Sequence, residues 1–312
     1  MKPDKITGIV PVLPTPFDPR EDIDFVSLKR LVRFCAKNGF SAVCLPAYAG
    51  EFYKLSEFER TEVVECAIEA ADGGIQVIAQ SNHYAGLHAA TIASTNEERG
   101  ADAVSVAVPR MFEISEADVH QFVADVAGLT SVPVLVQDFN PGGPTMSAET
   151  AKRLHLEFPN FRYLKLEQPL MAPKVAEILE ATDGGVQVLE GWGGMYLLEG
   201  IAAGICGAMP ALGVADILQR VYDLAIANER DAAMELFQEV LPYLAFSLQN
   251  MELLLQMEKR LLVRRGLIQH DTVRQTTLTL DPHTDKYVDF LIDRVMRLFE
   301  EPADASAAKA TS

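Results

Sequence analysis

Eight short apolar runs alternate with longer amphipathic segments along this chain, and this alternation restricts the possible folds more than any other feature. Short apolar runs separated by helix-length segments are typical of β/α units that build a parallel sheet. The runs cover residues 8–13, 42–45, 75–79, 103–108, 132–136, 163–166, 186–189 and 205–209. Eight units before about residue 215 predict a (β/α)₈ barrel rather than an open doubly wound sheet. No Gly-x-Gly-x-x-Gly follows the first run, so a dinucleotide fold is not favoured.

The segments between the runs have helical spacing, and several begin at a residue suited to cap a helix. Ser56, Ser115 and Ser147 are such caps. The predicted helices cover residues 25–38, 56–71, 88–99, 115–127, 147–158, 172–181 and 195–203. Beyond residue 214 the strand pattern stops and further helices are predicted at residues 216–227, 229–249, 252–266 and 285–300. We therefore expect a barrel carrying the active site at residues 1–214, a C-terminal helical extension at 215–300, and a disordered tail at 301–312.

Composition excludes several classes of protein. The net charge of −17 would repel the phosphates of a nucleic acid. No apolar run reaches the length of a membrane span, and no signal-peptide apolar region follows the first residues. The four cysteines form no Cys-x-x-Cys pair and sit in apolar surroundings, which is typical of core residues in a reduced, cytoplasmic protein. We thus expect a cytoplasmic protein that binds neither nucleic acid nor membrane.

Lys165 is the most informative candidate for chemistry. Read as a strand, residues 161–167 place Tyr163, Lys165 and Glu167 on one face, and the two intervening leucines on the face that helices would cover. The lysine then points into the barrel, where desolvation disfavours the charged ammonium. A neutral amine is what Schiff-base formation with a ketone requires. The alternative is a solvated lysine on an edge strand.

Polar residues at the carboxyl ends of the predicted strands supply the rest of the candidate site, because active sites of such barrels gather at that end. These ends carry Tyr48 and Glu51, His83, Gln137 and Asp138, and Glu190 with Gly191. We expect Glu51 to fix a loop rather than to transfer protons. His83 and His88 are five residues apart and would not share a helix face, and no ligand spacing for a metal is recognisable. We therefore expect neither a metal nor a cofactor.

The ordered set of motifs resembles the Schiff-base aldolases typified by dihydrodipicolinate synthase and N-acetylneuraminate lyase. The matching segments are residues 8–18, Ala47-Tyr-Ala-Gly-Glu51 where the family has Gly-Thr-Thr-Gly-Glu, Tyr163-Leu-Lys-Leu-Glu167, and Gly204-Ile-Cys-Gly-Ala-Met209. The resemblance covers about residues 6–298. It implies a barrel with Lys165 as the Schiff-base lysine, a small 2-oxo-acid substrate, and a homo-oligomer, either a dimer or a homotetramer.

Several positions depart from the family pattern, in which two loop threonines serve a proton relay and the substrate carboxylate. Tyr48 and Ala49 replace those threonines. The strand-5 tyrosine matches Gln137 when counted from Pro133, or Asp138 when counted back from Pro141.

Two further groups of the synthase are also missing. Met111 stands where the family completes its relay with a second tyrosine, and residues 141–146 contain no arginine for a second substrate's carboxylate. The chain therefore resembles the synthase of lysine biosynthesis without matching its chemistry.

These observations predict a Schiff-base lyase, an aldolase or a dehydratase, acting on pyruvate or a related 2-oxo acid. We expect Lys165, Tyr48, Gln137 and Glu167 to be the catalytic set. The backbone N–H groups of Ala49 and Gly50 would hold the substrate carboxylate. The remaining predicted substrate-binding residues are Asp138, Gly191 and Met209. Two alternatives are a catalytically silent family member that binds a 2-oxo acid, and a metal-assisted barrel lyase.

Overall fold

A computed structural model describes residues 2–3, 5–140 and 143–300 of the chain, and in this part strands and helices alternate eight times. The strands are β1 Gly8–Ile9, β2 Ala42–Leu45, β3 Gln76–Gln80, β4 Ala103–Ala107, β5 Val134–Phe139, β6 Phe161–Glu167, β7 Gln187–Glu190 and β8 Gly207–Ala208. The helices that follow them are α1 Phe25–Lys37, α2 Glu57–Ala71, α3 Gly86–Glu98, α4 Glu116–Leu129, α5 Ala148–Glu157, α6 Met171–Ala181, α7 Leu197–Ala203 and α8 Ala215–Ile226. Three further helices come last: α9 Arg230–Ser247, α10 Met251–Arg264 and α11 Pro282–Glu300.

The strands form one parallel sheet that closes on itself. Neighbours run in the order β1-β8-β7-β6-β5-β4-β3-β2. Val12, just beyond β1, bridges both Cys44 and Ala211, and the Leu13 N–H donates to the Cys44 carbonyl at 3.0 Å. The predicted (β/α)₈ barrel is confirmed. β1 is shorter than the apolar run predicted, and Pro11, which follows it, has no N–H to donate to a ladder.

Side chains alternate between two apolar layers. Ile78, Leu135 and Leu189 belong to a cluster that fills the barrel, whereas Leu164 and Leu166 lie in the larger core between the sheet and its helices. Successive residues of a strand face opposite sides of the sheet. Lys165, between those two leucines, therefore faces the barrel interior, as predicted.

The helix after β8 completes the ring around the barrel. The Ile9 N–H donates to Gln219 Oε1 of α8 at 2.8 Å, and the Tyr222 hydroxyl donates to the Cys206 carbonyl at 3.1 Å. Both contacts hold α8 against β1 and the start of β8. The predicted domain boundary at residue 214 would place α8 in the C-terminal extension. Because α8 packs on the barrel, we propose that the barrel ends at Ile226 instead. The predicted disordered tail, residues 301–312, lies outside the described residues.

The described residues bear on three further expectations. All four cysteines are free thiols, and Cys35, Cys44 and Cys66 are buried. No helix in residues 2–3, 5–140 or 143–300 is long and apolar enough to cross a membrane. Within the same ranges, no three His, Cys, Asp or Glu side chains converge in a way that could hold a metal ion.

Candidate active site

A cavity of about 920 Å³ opens at the carboxyl ends of the strands. Lys165, Glu167, Gln137 and Tyr48 all line it, so the structure brings the four predicted catalytic residues together. Residues 248–251, where α9 leads into α10, also line the cavity. Sequence reasoning did not assign this segment to the site.

Lys165 and Glu167 lie next to each other in the wall of the cavity. Lys165 is only 7% exposed, and its Nζ lies 3.0 Å from Glu167 Oε1. The same carboxylate oxygen accepts a hydrogen bond from Gln137 Nε2 at 2.6 Å. This contact follows from the register, because β5 pairs with β6 so that Gln137 lies beside Lys165 and Phe139 beside Glu167. One carboxylate thus contacts both the candidate nucleophile and the amide that replaces the family tyrosine.

The amide network extends from Gln137 towards β3. Gln80 Nε2 donates to Gln137 Oε1 at 3.4 Å and to Asn82 Oδ1 at 2.9 Å. Gln80 and Asn82 are both buried. Neither amide was among the predicted site residues, although both follow the third apolar run.

Gly191 is required for close packing around the lysine. A Cβ at this position would lie 2.4 Å from Glu167 Cγ and 2.8 Å from Lys165 Cγ, well inside contact distance. Gly191 and the buried Met209 both line the cavity, and their contact with substrate stays a prediction.

The loop after β2 forms a 3-10 turn at Tyr48–Gly50, and this turn decides which N–H groups are free. The Gly50 N–H donates to the Ala47 carbonyl at 2.9 Å, so it is not available to a substrate carboxylate. Ala49 lines the cavity, and its N–H meets no protein acceptor among the described residues. The prediction for Gly50 therefore needs correction, and we leave Gly50 out of the carboxylate site.

Tyr48 lies on the wall of the cavity opposite the strand ends of β5 and β6. Its ring packs edge-on against Phe52 at 5.0 Å between centroids. Burial raises the pKa of the Tyr48 hydroxyl, and the nearby Tyr84 and Glu167 raise it further. A hydroxyl that holds its proton tightly can act as a proton donor at neutral pH.

Asp138 does not line the cavity. Its carboxylate is fully buried, accepts two hydrogen bonds from Arg110 (3.0 and 2.9 Å), and accepts a third from the Met146 N–H at 2.5 Å. The alternation of β5 explains this, because Gln137 faces the barrel interior and its neighbour must face the helices. The prediction that Asp138 binds substrate is corrected accordingly, and the count from Pro133, which selects Gln137, agrees with the geometry.

Glu51 has the structural role expected of it. Its side chain is fully buried and is bound by Lys259, by Lys54 Nζ at 3.2 Å and by the Arg274 N–H at 3.1 Å. Desolvation lowers the pKa of Lys259 to about 8, although Glu51 opposes that shift. The cluster joins the Tyr48 loop to the C-terminal helices.

A third buried carboxyl, Glu190, lies at the end of β7. It accepts hydrogen bonds from the N–H groups of Trp192 (3.0 Å) and Gly194 (2.7 Å). Burial raises its pKa to about 7. Because these bonds hold the residues that lead into α7, we interpret Glu190 as the support of the Gly191 turn.

Comparisons with known proteins agree with this geometry. Residues 5–294 match the model of the dihydrodipicolinate synthetase family. The chain is 28% identical to an L-2-keto-3-deoxyarabonate dehydratase of Azospirillum brasilense, over 89% of this chain and 90% of that protein. It is 30% identical to a 4-hydroxy-tetrahydrodipicolinate synthase of Chlorobium phaeobacteroides, over 72% of this chain and 75% of that protein.

The solved structures give the same result. The crystal structure of dihydrodipicolinate synthase from Rhodopseudomonas palustris superposes with a TM-score of 0.85 at 26% identity, covering 92% of this chain and 97% of that one. The family match spans nearly the whole chain, and the relatives are lyases of the class I aldolase type. The chain therefore belongs to the dihydrodipicolinate synthetase family and is a lyase of that type.

Proposed function

We propose that this protein is a Schiff-base dehydratase that removes water from a hydroxylated 2-oxo acid bound through Lys165. The observation that carries the proposal is the buried Lys165 amine, 3.0 Å from the Glu167 carboxylate at the mouth of the barrel. A nucleophilic amine beside a group that can exchange protons is what imine chemistry requires. The cavity of about 920 Å³ has room for a longer acid than pyruvate.

The reaction begins when the neutral Lys165 amine attacks the C2 carbonyl. Loss of one water from the carbinolamine gives an iminium, which withdraws electrons from C3. Glu167 takes a proton from C3, and the resulting enamine expels the C4 hydroxyl, which leaves as water after receiving a proton from Tyr48 or Glu167. Hydrolysis of the imine then releases the dehydrated acid and the free amine.

The substrate carboxylate binds at the loop after β2. Ala49 offers an unengaged N–H at the cavity wall, and oriented N–H groups are common carboxylate sites. Gln137 holds Glu167 in place, while Gly191 and Met209 shape the cavity around the imine. Gly50 and Asp138 have no part in this proposal.

The residues near Lys165 favour dehydration over the condensation that a synthase catalyses. Gln137 cannot titrate, and the strand-5 loop lacks an arginine for a second substrate's carboxylate. A relative that matches nine tenths of this chain is a dehydratase of L-2-keto-3-deoxyarabonate, a 2-oxo acid with hydroxyls on C4 and C5. That acid carries the C4 hydroxyl that the mechanism needs.

The proposed function is tested by trapping the imine with borohydride and reading intact mass. Pyruvate should add one reduced adduct per chain on the peptide that carries Lys165, and Lys165→Ala should abolish the adduct while the barrel stays folded. With 4,5-dihydroxy-2-oxopentanoate, part of the adduct should lack the mass of one water. Turnover of pyruvate with aspartate semialdehyde should be weak, because a lost acid/base group costs about 10²–10⁴ in rate.

An adduct on another lysine would overturn the assignment of Lys165. Binding of 2-oxo acids without any trapped imine would instead identify a silent binding protein.

A further inference from the structure

Asn82, just beyond β3, has a side-chain amide whose orientation is fixed and whose donor group is unused. Its Oδ1 accepts hydrogen bonds from the Ala107 N–H at 2.7 Å and from Gln80 Nε2 at 2.9 Å. A backbone N–H can only donate, so the oxygen of the amide must face Ala107. The Nδ2 group must then face the other way.

Asn82 Nδ2 is buried and has no hydrogen-bond partner within the described residues. The residue is 7% exposed and lines the main cavity. A buried donor without an acceptor is costly and is rare in native proteins. An amide at a cavity wall whose N–H donor is unpaired is suited to bind a ligand that carries an acceptor oxygen.

The network around Asn82 connects it to the nucleophile through other side chains. Lys165 contacts Glu167, Glu167 accepts from Gln137, Gln137 accepts from Gln80, and Gln80 donates to Asn82. Gln80 Nε2 uses both of its protons in this network. Asn82 therefore ends a chain of polar contacts that begins at Lys165, and both residues line the cavity in which the tail of a bound acid would lie.

We propose that Asn82 is a specificity-determining residue that donates a hydrogen bond from Nδ2 to a hydroxyl on the tail of the 2-oxo acid. This inference rests on the proposed function, since the lysine imine fixes the other end of the substrate. Sites built to hydrogen-bond a substrate hydroxyl discriminate strongly against analogues that lack it. The enzyme should therefore prefer hydroxylated 2-oxo acids to unsubstituted acids of equal length.

The test uses 4,5-dihydroxy-2-oxopentanoate and 2-oxopentanoate, which share a carbon skeleton and differ in their hydroxyls. The half-saturating concentration for borohydride trapping at Lys165 is measured with each acid. Asn82→Asp keeps the acceptor for Ala107 and Gln80 but replaces the donor with an oxygen. It should raise the half-saturating concentration for the hydroxylated acid at least about tenfold more than for 2-oxopentanoate.

Asn96→Asp is the matched control, because the Asn96 amide is also buried but already donates to Ser81 Oγ at 3.0 Å. It should leave the ratio between the two acids unchanged. Asn82→Ala, which adds no charge, should reproduce the loss of selectivity if Asn82→Asp fails to fold.

The possible outcomes distinguish a failure of the Asn82 proposal from a failure of the proposed function. Equal loss for both acids, or no loss, would overturn the role of Asn82 while trapping at Lys165 still stood. Absence of any adduct in the wild-type protein would overturn both proposals.

Discussion

At the scale of single residues, Glu167 links the candidate nucleophile to the amide network of the site. It contacts the Lys165 amine and accepts from Gln137, and we propose that this one carboxylate transfers the protons for which the family pattern has several hydroxyls. Tyr48 supplies the hydroxyl on the facing wall, with its pKa raised by burial. The proton transfers of the reaction should therefore depend on Glu167 and Tyr48.

We expect Glu167→Gln and Tyr48→Phe each to slow turnover of the dihydroxy acid by at least about tenfold, with little change in KM. Such a pattern marks the loss of an interaction made only in the transition state. Steady-state kinetics provide the measurement. Tyr53→Phe is the control, since the Tyr53 hydroxyl contacts Glu252 at 3.4 Å and lies half exposed. Wild-type rates in both active-site variants would leave the proton donor unidentified.

Residue types and strand alternation were sufficient to place Lys165 and Glu167, since both lie on the inner face of β6. They were not sufficient for Gly50, because the use of its N–H depends on the 3-10 turn that the loop adopts. The orientation of the Asn82 amide could not be predicted from the sequence either. Its orientation is fixed by Ala107 of the next strand, a contact that no local pattern encodes.

At the scale of elements, the sequence predicted where most helices and strands begin and end. It did not predict how the C-terminal helices pack on the barrel. The N-caps Ser56, Ser115 and Ser147 begin α2, α4 and α5 as their sequence positions indicate. The packing of α10 on the barrel depends instead on contacts between residues far apart in the chain. Glu258 of α10 accepts the Gly213 N–H at 2.7 Å, and Lys259 binds Glu51.

We expect Glu258 to make the attachment of α10 sensitive to pH. Burial raises its pKa from 4.5 to about 7. The folded protein then keeps a proton that the unfolded chain releases, so stability falls as pH rises from 4.5 to 7. Glu258→Gln removes the titrating group. The free energy of unfolding of the variant, relative to that of the wild type, should therefore increase by up to about 3 kcal/mol as the pH rises from 4.5 to 7.

Thermal or denaturant unfolding at several pH values tests this expectation. Glu235→Gln, at an exposed position on α9, should show a constant difference from the wild type. A constant difference for Glu258→Gln as well would contradict the raised pKa.

At the scale of the whole molecule, apolar side chains are exposed beside the mouth of the barrel. Tyr84 is 63% exposed, Met111 59% and Phe112 77%, and the first two also line the cavity. Exposed apolar patches of this kind mark surfaces that bind another protein. The partner we propose is a second copy of the chain, in agreement with the homo-oligomer that the family resemblance implies.

We expect the wild-type protein to sediment as a dimer or tetramer and Phe112→Glu to shift it to smaller species, because a charge at this exposed apolar position opposes its burial in an interface. Sedimentation velocity measures this directly. Ile226→Glu introduces the same charge at an exposed apolar position at the end of α8 and should leave the assembly intact. A monomeric wild type would refute the prediction.

The buried cluster around Glu51 also sets an order of events during synthesis of the chain. The loop that carries Tyr48 is held by Lys259 and by the backbone of Arg274, which the ribosome adds more than 200 residues after Glu51. All eight strands will have been made before either contact can form. A nascent chain that has left the ribosome only as far as α8 therefore contains Lys165 but lacks both the anchor of the Tyr48 loop and residues 248–251 of the cavity lining. We therefore expect the chain to gain activity late, after the barrel itself can close.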